Sequence, residues 1–120
     1  MPNTTSYKRG DIFLVEFVFS EGTGMKKRPA VLVSSNSYNA ARKDVIVAGV
    51  TTDVTRLLVG DHLLANWREA GLLHPSVVTG IISTIKQDMV GRRIGSLSEA
   101  DIRQLNRVVQ ATFGLPAILP

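Results

Sequence analysis

The amino-acid sequence predicts a small, mainly β domain: a closed barrel of about five to seven short strands with one α-helix at its C-terminal end. Three observations support this fold class. Short runs rich in β-branched and aromatic residues alternate with turn-forming residues, some runs carry an internal glycine, and the apolar spacing becomes helical only in the final segment. The chain has 120 residues and no repeat, low-complexity tract or linker, so we expect one domain covering 1–120.

The first two strands are predicted from apolar runs on either side of a loop. The run DIFLVEFVF at 11–19 has apolar residues on both alternating faces, which indicates a strand buried on both sides. The run RPAVLVSS at 28–35 is the second strand. Pro29 cannot donate a ladder hydrogen bond, so it belongs at the start of a strand or on a sheet edge. Between them, 20–27 contains two glycines and predicts a flexible loop.

The middle of the chain contains shorter elements. Residues 36–43 are predicted to form a turn region, and DVIVAGV at 44–50 a third strand. A fourth strand is predicted at 57–64, with an interruption at Gly60. The segment 66–78 predicts a short helical turn or loop, because its glycine and proline prevent a longer helix.

The last third of the chain predicts two bent strands and then a helix. The strands are 76–85 and 88–97, each with an internal glycine that permits tight curvature. Apolar residues at helical spacing then predict a helix over about 98–113. Ser98 followed by Asp101 resembles a capping box and favours a helix start at this point.

Charge and composition narrow the functional classes. The net charge of +4 and the pI of about 9.9 weakly favour an acidic partner, and the basic excess is densest at Lys26, Lys27 and Arg28. The chain has no cysteine, which excludes disulfides and thiolate chemistry. His62 and His74 have no cysteine or third histidine beside them and form a poor metal set, so we predict no metal and no cofactor. Each histidine is interpreted as a surface or structural residue.

The sequence favours a cytoplasmic location. The N-terminus lacks the apolar segment of a signal peptide. No apolar run approaches the roughly 20 residues that a membrane-spanning helix needs. We therefore expect no association with a membrane.

The sequence contains no nucleophile elbow and no phosphate-binding loop, so the common catalytic motifs are excluded. One small group of candidate residues remains. Arg28 starts the second strand, and Thr51 and Thr52 follow the third. A guanidinium holds two phosphate oxygens, and a threonine hydroxyl both donates and accepts. Such a pair can assist RNA cleavage, because the ribose 2′-OH is an internal nucleophile. A structural interpretation stays open: Arg28 paired with a surface acid, and threonines favoured by β-propensity.

Five segments follow one another along the chain: YKRGDIFLVEF, SEGTGMKKRPAVLVSS, DVIVAGVTT, NWREAGLLHPSVV and LSEADIRQLNRVV. In this order they resemble the MazF/PemK family of toxin–antitoxin ribonucleases, and the resemblance covers about Tyr7 to Leu115. The resemblance implies an SH3-like, CcdB/PemK-like barrel and a homodimer. It also implies metal-independent, sequence-selective cleavage of single-stranded RNA. The products are a 2′,3′-cyclic phosphate and a free 5′-OH, and the cleavage inhibits translation.

The resemblance also assigns roles to residues. Arg28 matches the family's catalytic arginine and is expected to stabilise the charge of the transition state. Thr51 matches the catalytic threonine or serine and is expected to orient the scissile phosphate. A guanidinium keeps its proton at neutral pH, so the base that accepts the 2′-OH proton is left open. The predicted substrate contacts are Gly22, Gly24, Lys26, Lys27, Thr52 and Thr79.

The sequence departs from the family pattern at Thr79 and Gly80, where many relatives carry an arginine that is often followed by an acid. This departure keeps a second hypothesis open, a catalytically weakened or inactive RNA-binding module on the same fold. A third, lower-ranked hypothesis is a gyrase-inhibiting toxin like CcdB, which leaves Arg28 and Thr51 unexplained.

The resemblance further implies a cognate antitoxin with an acidic, partly disordered tail. Its carboxylates are expected to take the place of RNA phosphates beside the basic residues 26–28. Contact with DNA is expected only indirectly, through the antitoxin. Ile82, Ile85 and the apolar face of the final helix are interpreted as core in preference to a dimer contact.

Overall fold

The computed structural model describes residues 6–18 and 25–116, and these ranges contain six strands and two α-helices. The strands are β1 (Asp11–Val18), β2 (Met25–Leu32), β3 (Asp44–Thr51), β4 (His62–Leu63), β5 (Val77–Lys86) and β6 (Val90–Ser96), and the helices are α1 (Asn36–Ala41) and α2 (Glu99–Phe113). A single 3₁₀ turn separates β5 from β6. The predicted mainly β fold with a C-terminal helix is confirmed. Neither of the described helices is long and apolar enough to cross a membrane.

The six strands form one antiparallel sheet in the order β4-β5-β3-β2-β1-β6. In the described ranges no ladder joins β4 to β6, so the sheet is barrel-like but does not close into a complete ring. The ladder between β1 and β6 contains two register shifts. Such irregularities increase the local twist of a sheet.

β1, β2 and β3 each bury side chains on both faces. For the strand predicted at 11–19 this agrees over 11–15, and the side chains of 17–19 lie outside the described residues. Alternate residues enter two separate cores, because successive side chains of a strand point in opposite directions. The first core includes Ile12, Val31 and Ala48, and the second includes Phe13, Leu32 and Val47. Helix α2 covers the first core through Leu105. Ile82 packs against the first core and Ile85 against the second, in agreement with their interpretation as core residues.

Four local predictions were wrong. Pro29 neither starts a strand nor lies on a sheet edge, because it lies inside β2, between β1 and β3. Residues 36–43 contain α1, which starts because the Ser35 side chain accepts a hydrogen bond from the Tyr38 N–H at 3.1 Å. The strand predicted at 57–64 is reduced to the two residues of β4. β2 starts at Met25, so Lys26 and Lys27 belong to the strand and not to the preceding loop. Capping and edge pairing decide these boundaries, and neither follows from apolar periodicity.

A buried carboxylate fastens the start of α2 to the segment that contains β4. Asp101 is 1% exposed, and its two oxygens accept hydrogen bonds from the N–H groups of Ala65 at 3.0 Å and Asn66 at 2.9 Å. His62 Nε2 lies 3.0 Å from Asp101 Oδ1. Ser98 caps the helix by accepting from the Asp101 N–H, as the sequence predicted. We name these five residues the Asp101 hub.

The hydrogen bonds of the hub outweigh the effect of burial on its carboxyl group. Burial alone raises the pKa of Asp101, since it penalises the charged form. Donation from the Ala65 N–H, His62 and the Asn66 N–H lowers it by more, so the pKa of Asp101 lies below its ordinary value. The ionised carboxylate is therefore a structural component of the folded state.

Candidate active site

A cleft of about 970 Å³ brings together side chains from five strands and from the loop before β5. Its polar and charged lining consists of Arg28, Thr51, Thr52, His74, Ser76, Thr79, Arg92 and Arg93. Apolar side chains such as Leu14 and Ile81 form the rest of the wall. Among the residues that the structure describes, no aspartate or glutamate lines this cleft, so its charged lining has one sign.

Arg28 and Thr51 lie on neighbouring antiparallel strands. In the ladder of β2 and β3, Ala30 is opposite Gly49 and Leu32 is opposite Val47. Continuing this register by two residues places Arg28 opposite Thr51. Both residues line the cleft, and Arg28 is exposed. The fold thus brings together the two residues that the sequence singled out from separate segments.

The Thr51 hydroxyl is held in a defined direction by the turn that follows β3. Its Oγ1 accepts a hydrogen bond from the Asp53 N–H at 3.1 Å. A hydroxyl that accepts in this way keeps its own hydrogen for donation to another group. The Asp53 carboxylate is occupied by the Thr55 hydroxyl and N–H, which lower the pKa of Asp53. Thr52 is exposed beside them.

Thr79 stabilises a β-bulge at the floor of the cleft. The register between β3 and β5 shifts between Ala48 and Val50, and Gly49 lies at this shift. Thr79 Oγ1 donates to the Gly49 carbonyl at 2.8 Å and accepts from the Ile81 N–H at 3.2 Å. Thr79 is also 7% exposed, so its hydroxyl serves the backbone.

Two arginines of β6 complete the positive lining, and the sequence did not single them out. Arg93 donates to Ser96 Oγ at 2.6 Å and lies 3.4 Å from Asp11 Oδ1. Arg92 makes no hydrogen bond or ion pair with any described residue. Arg93 is therefore anchored to the fold, whereas Arg92 can turn toward a bound anion.

The structure separates the two histidines that the sequence treated alike. His62 belongs to the Asp101 hub. His74 lines the cleft in the loop that leads to β5, and Val77 of that strand is opposite Thr51. The Ser76 hydroxyl donates to the His74 carbonyl at 2.8 Å and fixes the backbone there. His74 can be singled out because it lies three residues before Val77, the partner of Thr51. This signal is visible only when the pairing of β3 with β5 is known.

The remaining predicted substrate contacts are not among the residues that the structure describes as lining the cleft. Lys26 and Lys27 are exposed on β2 beside Arg28, but they are not part of the cleft lining that the structure describes. Gly22 and Gly24 lie outside the described residues. Within the described ranges, no three histidine, cysteine, aspartate or glutamate side chains are grouped closely enough to hold a metal ion.

A second cavity, of about 730 Å³, lies at the opposite end of β3. Its lining mixes both signs, and Arg42 is paired there with Asp44 at 2.8 Å. This pairing raises the pKa of Arg42 through the hydrogen bond with Asp44 and lowers that of Asp44. Gln87 donates to three backbone carbonyls at the same place. The polar groups of this cavity are largely used within the fold.

Comparisons with known proteins give consistent results. A family model described as the PemK-like, MazF-like toxin of type II toxin–antitoxin systems matches residues 8–113. A curated relative, the endoribonuclease MazF of Staphylococcus saprophyticus, is 23% identical over 113 residues, which are 92% of this chain and 94% of the relative.

Solved structures agree with this result. The Mycobacterium tuberculosis toxin MazF-mt6 is similar with a TM-score of 0.75 and 26% identity over 89% of this chain and 99% of that one. A mycobacterial endoribonuclease in complex with its cognate antitoxin has a TM-score of 0.76 and 22% identity over 92% of this chain and 98% of that one. The latter, at its low identity, is evidence for the shared fold.

Proposed function

The chain belongs to the PemK-like, MazF-like toxins of type II toxin–antitoxin systems, and on this premise we propose that it is a metal-independent endoribonuclease acting on single-stranded RNA. The observation that carries the proposal is the cleft that Arg28 and Thr51 both line, among side chains of positive or neutral character. A phosphodiester backbone is the anionic polymer that such a lining fits. The curated relative's name, endoribonuclease MazF, supports the same activity.

The reaction uses a nucleophile that the substrate supplies. The ribose 2′ oxygen attacks the adjacent phosphorus, a new P–O2′ bond forms, and the P–O5′ bond breaks. The products are a 2′,3′-cyclic phosphate and a 5′-OH. Arg28 binds the non-bridging oxygens, on which negative charge grows in the transition state. Thr51 donates its hydroxyl hydrogen to the same phosphate and holds it in line with the attacking oxygen.

Arg92 contributes a second phosphate contact in this proposal. The absence of an arginine at Thr79 was the motive for the hypothesis of an inactive RNA-binding module. The cleft has other cations, because Arg92 and Arg93 reach its lining from β6. This favours the enzyme over the binding module. The gyrase-inhibitor hypothesis gives these arginines no role.

The proposed regulator is a cognate antitoxin with an acidic tail. One structural relative is an endoribonuclease in complex with its cognate antitoxin. In this chain, a carboxylate-rich segment would meet Arg28, Arg92 and the exposed Lys26 and Lys27. We propose a cytoplasmic homodimer that contacts DNA only through this antitoxin.

A cleavage assay tests the proposed function. Purified protein is incubated with single-stranded RNA of varied sequence in EDTA, and the ends of the fragments are analysed. We expect cleavage at a limited set of sequences with cyclic phosphate and 5′-OH ends. Salt-sensitive binding without cleavage would support the RNA-binding module instead, and capture of a gyrase subunit without cleavage would support the gyrase inhibitor.

A further inference from the structure

We propose that His74 accepts the proton of the attacking 2′-OH, which assigns the base that the sequence left open. This proposal rests on the proposed function, since it concerns the same cleft and the same reaction. It names one further catalytic residue and predicts a pH dependence that Arg28 and Thr51 do not supply.

The chemistry of the cleft lining favours His74 as the base. Its described side chains with ionisable groups are three arginines and one histidine. Arginine stays protonated at neutral pH and is a poor proton acceptor, and serine and threonine hydroxyls are weaker bases still. Histidine is the residue type that takes up and releases a proton near neutral pH. His74 is thus the one described lining side chain suited to this step.

The position of His74 relative to Thr51 also favours this role. Val77 is opposite Thr51 in the β3–β5 ladder, and His74 lies three residues before Val77. The Ser76 hydroxyl fixes the His74 carbonyl at 2.8 Å, and Pro75 restricts the backbone between them. Strand β3, which ends at Thr51, has β5 on one side and β2 on the other. His74 therefore lies on the β5 side of the cleft, and Arg28 lies on the β2 side.

The imidazole of His74 is available to a substrate. His74 is exposed, and its ring makes no hydrogen bond or ion pair with any described residue. His62 contrasts with it, because Asp101 occupies one of its ring nitrogens at 3.0 Å. A base must have a ring nitrogen free to reach the 2′-OH, and His74 meets this requirement.

The charged groups that surround His74 come from two other strands. Arg28 faces the cleft from β2, and Arg92 and Arg93 face it from β6. Arg93 is paired with Asp11. Asp53, just beyond Thr51, uses its carboxylate on Thr55. The cleft therefore offers His74 cations and hydroxyls, and no described carboxylate competes with it for the substrate proton.

The step balances without a further reactant. The 2′-OH proton passes to a ring nitrogen of His74 as the 2′ oxygen forms its bond to phosphorus. The electron pair of the breaking P–O5′ bond goes to O5′, which takes a proton from water. His74 then releases its proton to solvent, so the protein returns to its initial state.

The test measures single-turnover RNA cleavage in EDTA from pH 5 to 9 for the wild type, His74→Gln and His62→Gln. A substrate with 2′-deoxyribose at the scissile position reports binding without reaction. We expect the wild-type rate to fall toward acidic pH, because a protonated imidazole cannot accept the 2′-OH proton. His74→Gln should lose about 100-fold in rate and this acid limb, with binding of the deoxy substrate within about threefold. His62→Gln should keep the wild-type profile.

A further variant addresses Glu21, an acidic residue that lies outside the described ranges. The proposal is overturned if Glu21→Gln removes the acid limb while His74→Gln keeps it, or if His74→Gln lowers binding and rate in parallel. Rescue of His74→Ala by added imidazole would support the assignment independently. If the wild type cleaves no RNA at any pH, the proposed function fails, and this proposal fails with it. If the wild type cleaves RNA but one of the overturning results above is found, only the assignment of His74 fails.

Discussion

The cleft and the Asp101 hub both contain a histidine and several polar groups, but they use them differently. In the hub, both carboxylate oxygens of Asp101 are bonded to neighbouring groups and the residue is 1% exposed. In the cleft, the side chains of His74 and Arg92 are exposed and make no hydrogen bond or ion pair with any described residue. The hub therefore stabilises the fold, and the cleft keeps donors and acceptors for a ligand.

The partner of a side chain is therefore more informative about its role than its residue type. His62 and His74 are equivalent in sequence terms, and only their partners distinguish them. The same holds for Arg93, which is paired with Asp11, and its neighbour Arg92. Variants of the cleft should change activity at constant stability, whereas variants of the hub should change stability at constant intrinsic activity.

The largest expected effect is that of Arg28→Ala on cleavage. Loss of the guanidinium removes charge stabilisation from the transition state, so the cleavage rate should fall by about 100- to 1,000-fold. The melting temperature should change little, because Arg28 is an exposed residue near the start of β2. Cleavage kinetics and thermal unfolding monitored by circular dichroism measure the two quantities.

Arg42→Ala is the matched control, since Arg42 lines the second cavity and is paired with Asp44. Its cleavage rate should stay within about twofold of the wild type, as an exposed ion pair contributes little to stability. Equal rates for Arg28→Ala and the wild type would contradict the placement of the active site.

The second effect is on stability. Asp101→Ala leaves the Ala65 and Asn66 N–H groups without their acceptor, so the free energy of unfolding should fall by about 3 kcal/mol. This corresponds to a melting temperature lower by roughly 10 °C. Urea denaturation measures the loss. The cleavage rate per folded molecule should be close to that of the wild type, and a rate loss at unchanged stability would remove the distinction between hub and cleft.

The third effect is a dependence of stability on acid. The folded-state pKa of Asp101 lies below its ordinary value, so its contribution is complete above about pH 4 and is lost as the pH falls through the folded-state pKa. Urea denaturation of the wild type and Asp101→Asn between pH 2 and 7 isolates this contribution from those of other carboxylates. The difference in stability between the two proteins should shrink toward low pH. A constant difference would show that the hub does not depend on ionisation.

The smallest effect is that of Arg92→Gln on RNA affinity. Loss of one phosphate contact should weaken binding of the 2′-deoxy substrate several-fold. It should also reduce the slope of log K against log salt by about 0.7. Arg103→Gln, an exposed substitution on α2, is the control and should leave the slope unchanged. An unchanged slope for Arg92→Gln would remove Arg92 from the phosphate-binding surface.

The sequence was most informative where periodicity or local spacing carries the signal. The central strands and α2 follow from apolar patterns, and the Ser98 cap follows from a three-residue motif. Arg28 and Thr51 were singled out by residue type and by family resemblance, and the β2–β3 register then placed them together.

The remaining features depend on contacts between distant residues. Asp101 meets His62, which is 39 residues away, and Arg93 meets Asp11, which is 82 residues away. No local pattern encodes such partners. The role of His74 in the cleft lining and the bulge held by Thr79 likewise appear only when β3 and β5 are paired.

The position of β6 at the edge of the sheet has a consequence for solubility. An edge strand presents unpaired N–H and C=O groups to any extended chain that approaches, and charged side chains are a common protection against this. Exposed Arg92 and Arg93 lie in the otherwise uncharged segment VGRRIGS. With valine at both positions the segment would combine high β-propensity with no charge, and size-exclusion chromatography should then detect aggregates. The same arginines that face the cleft thus keep the toxin from adding strands to itself.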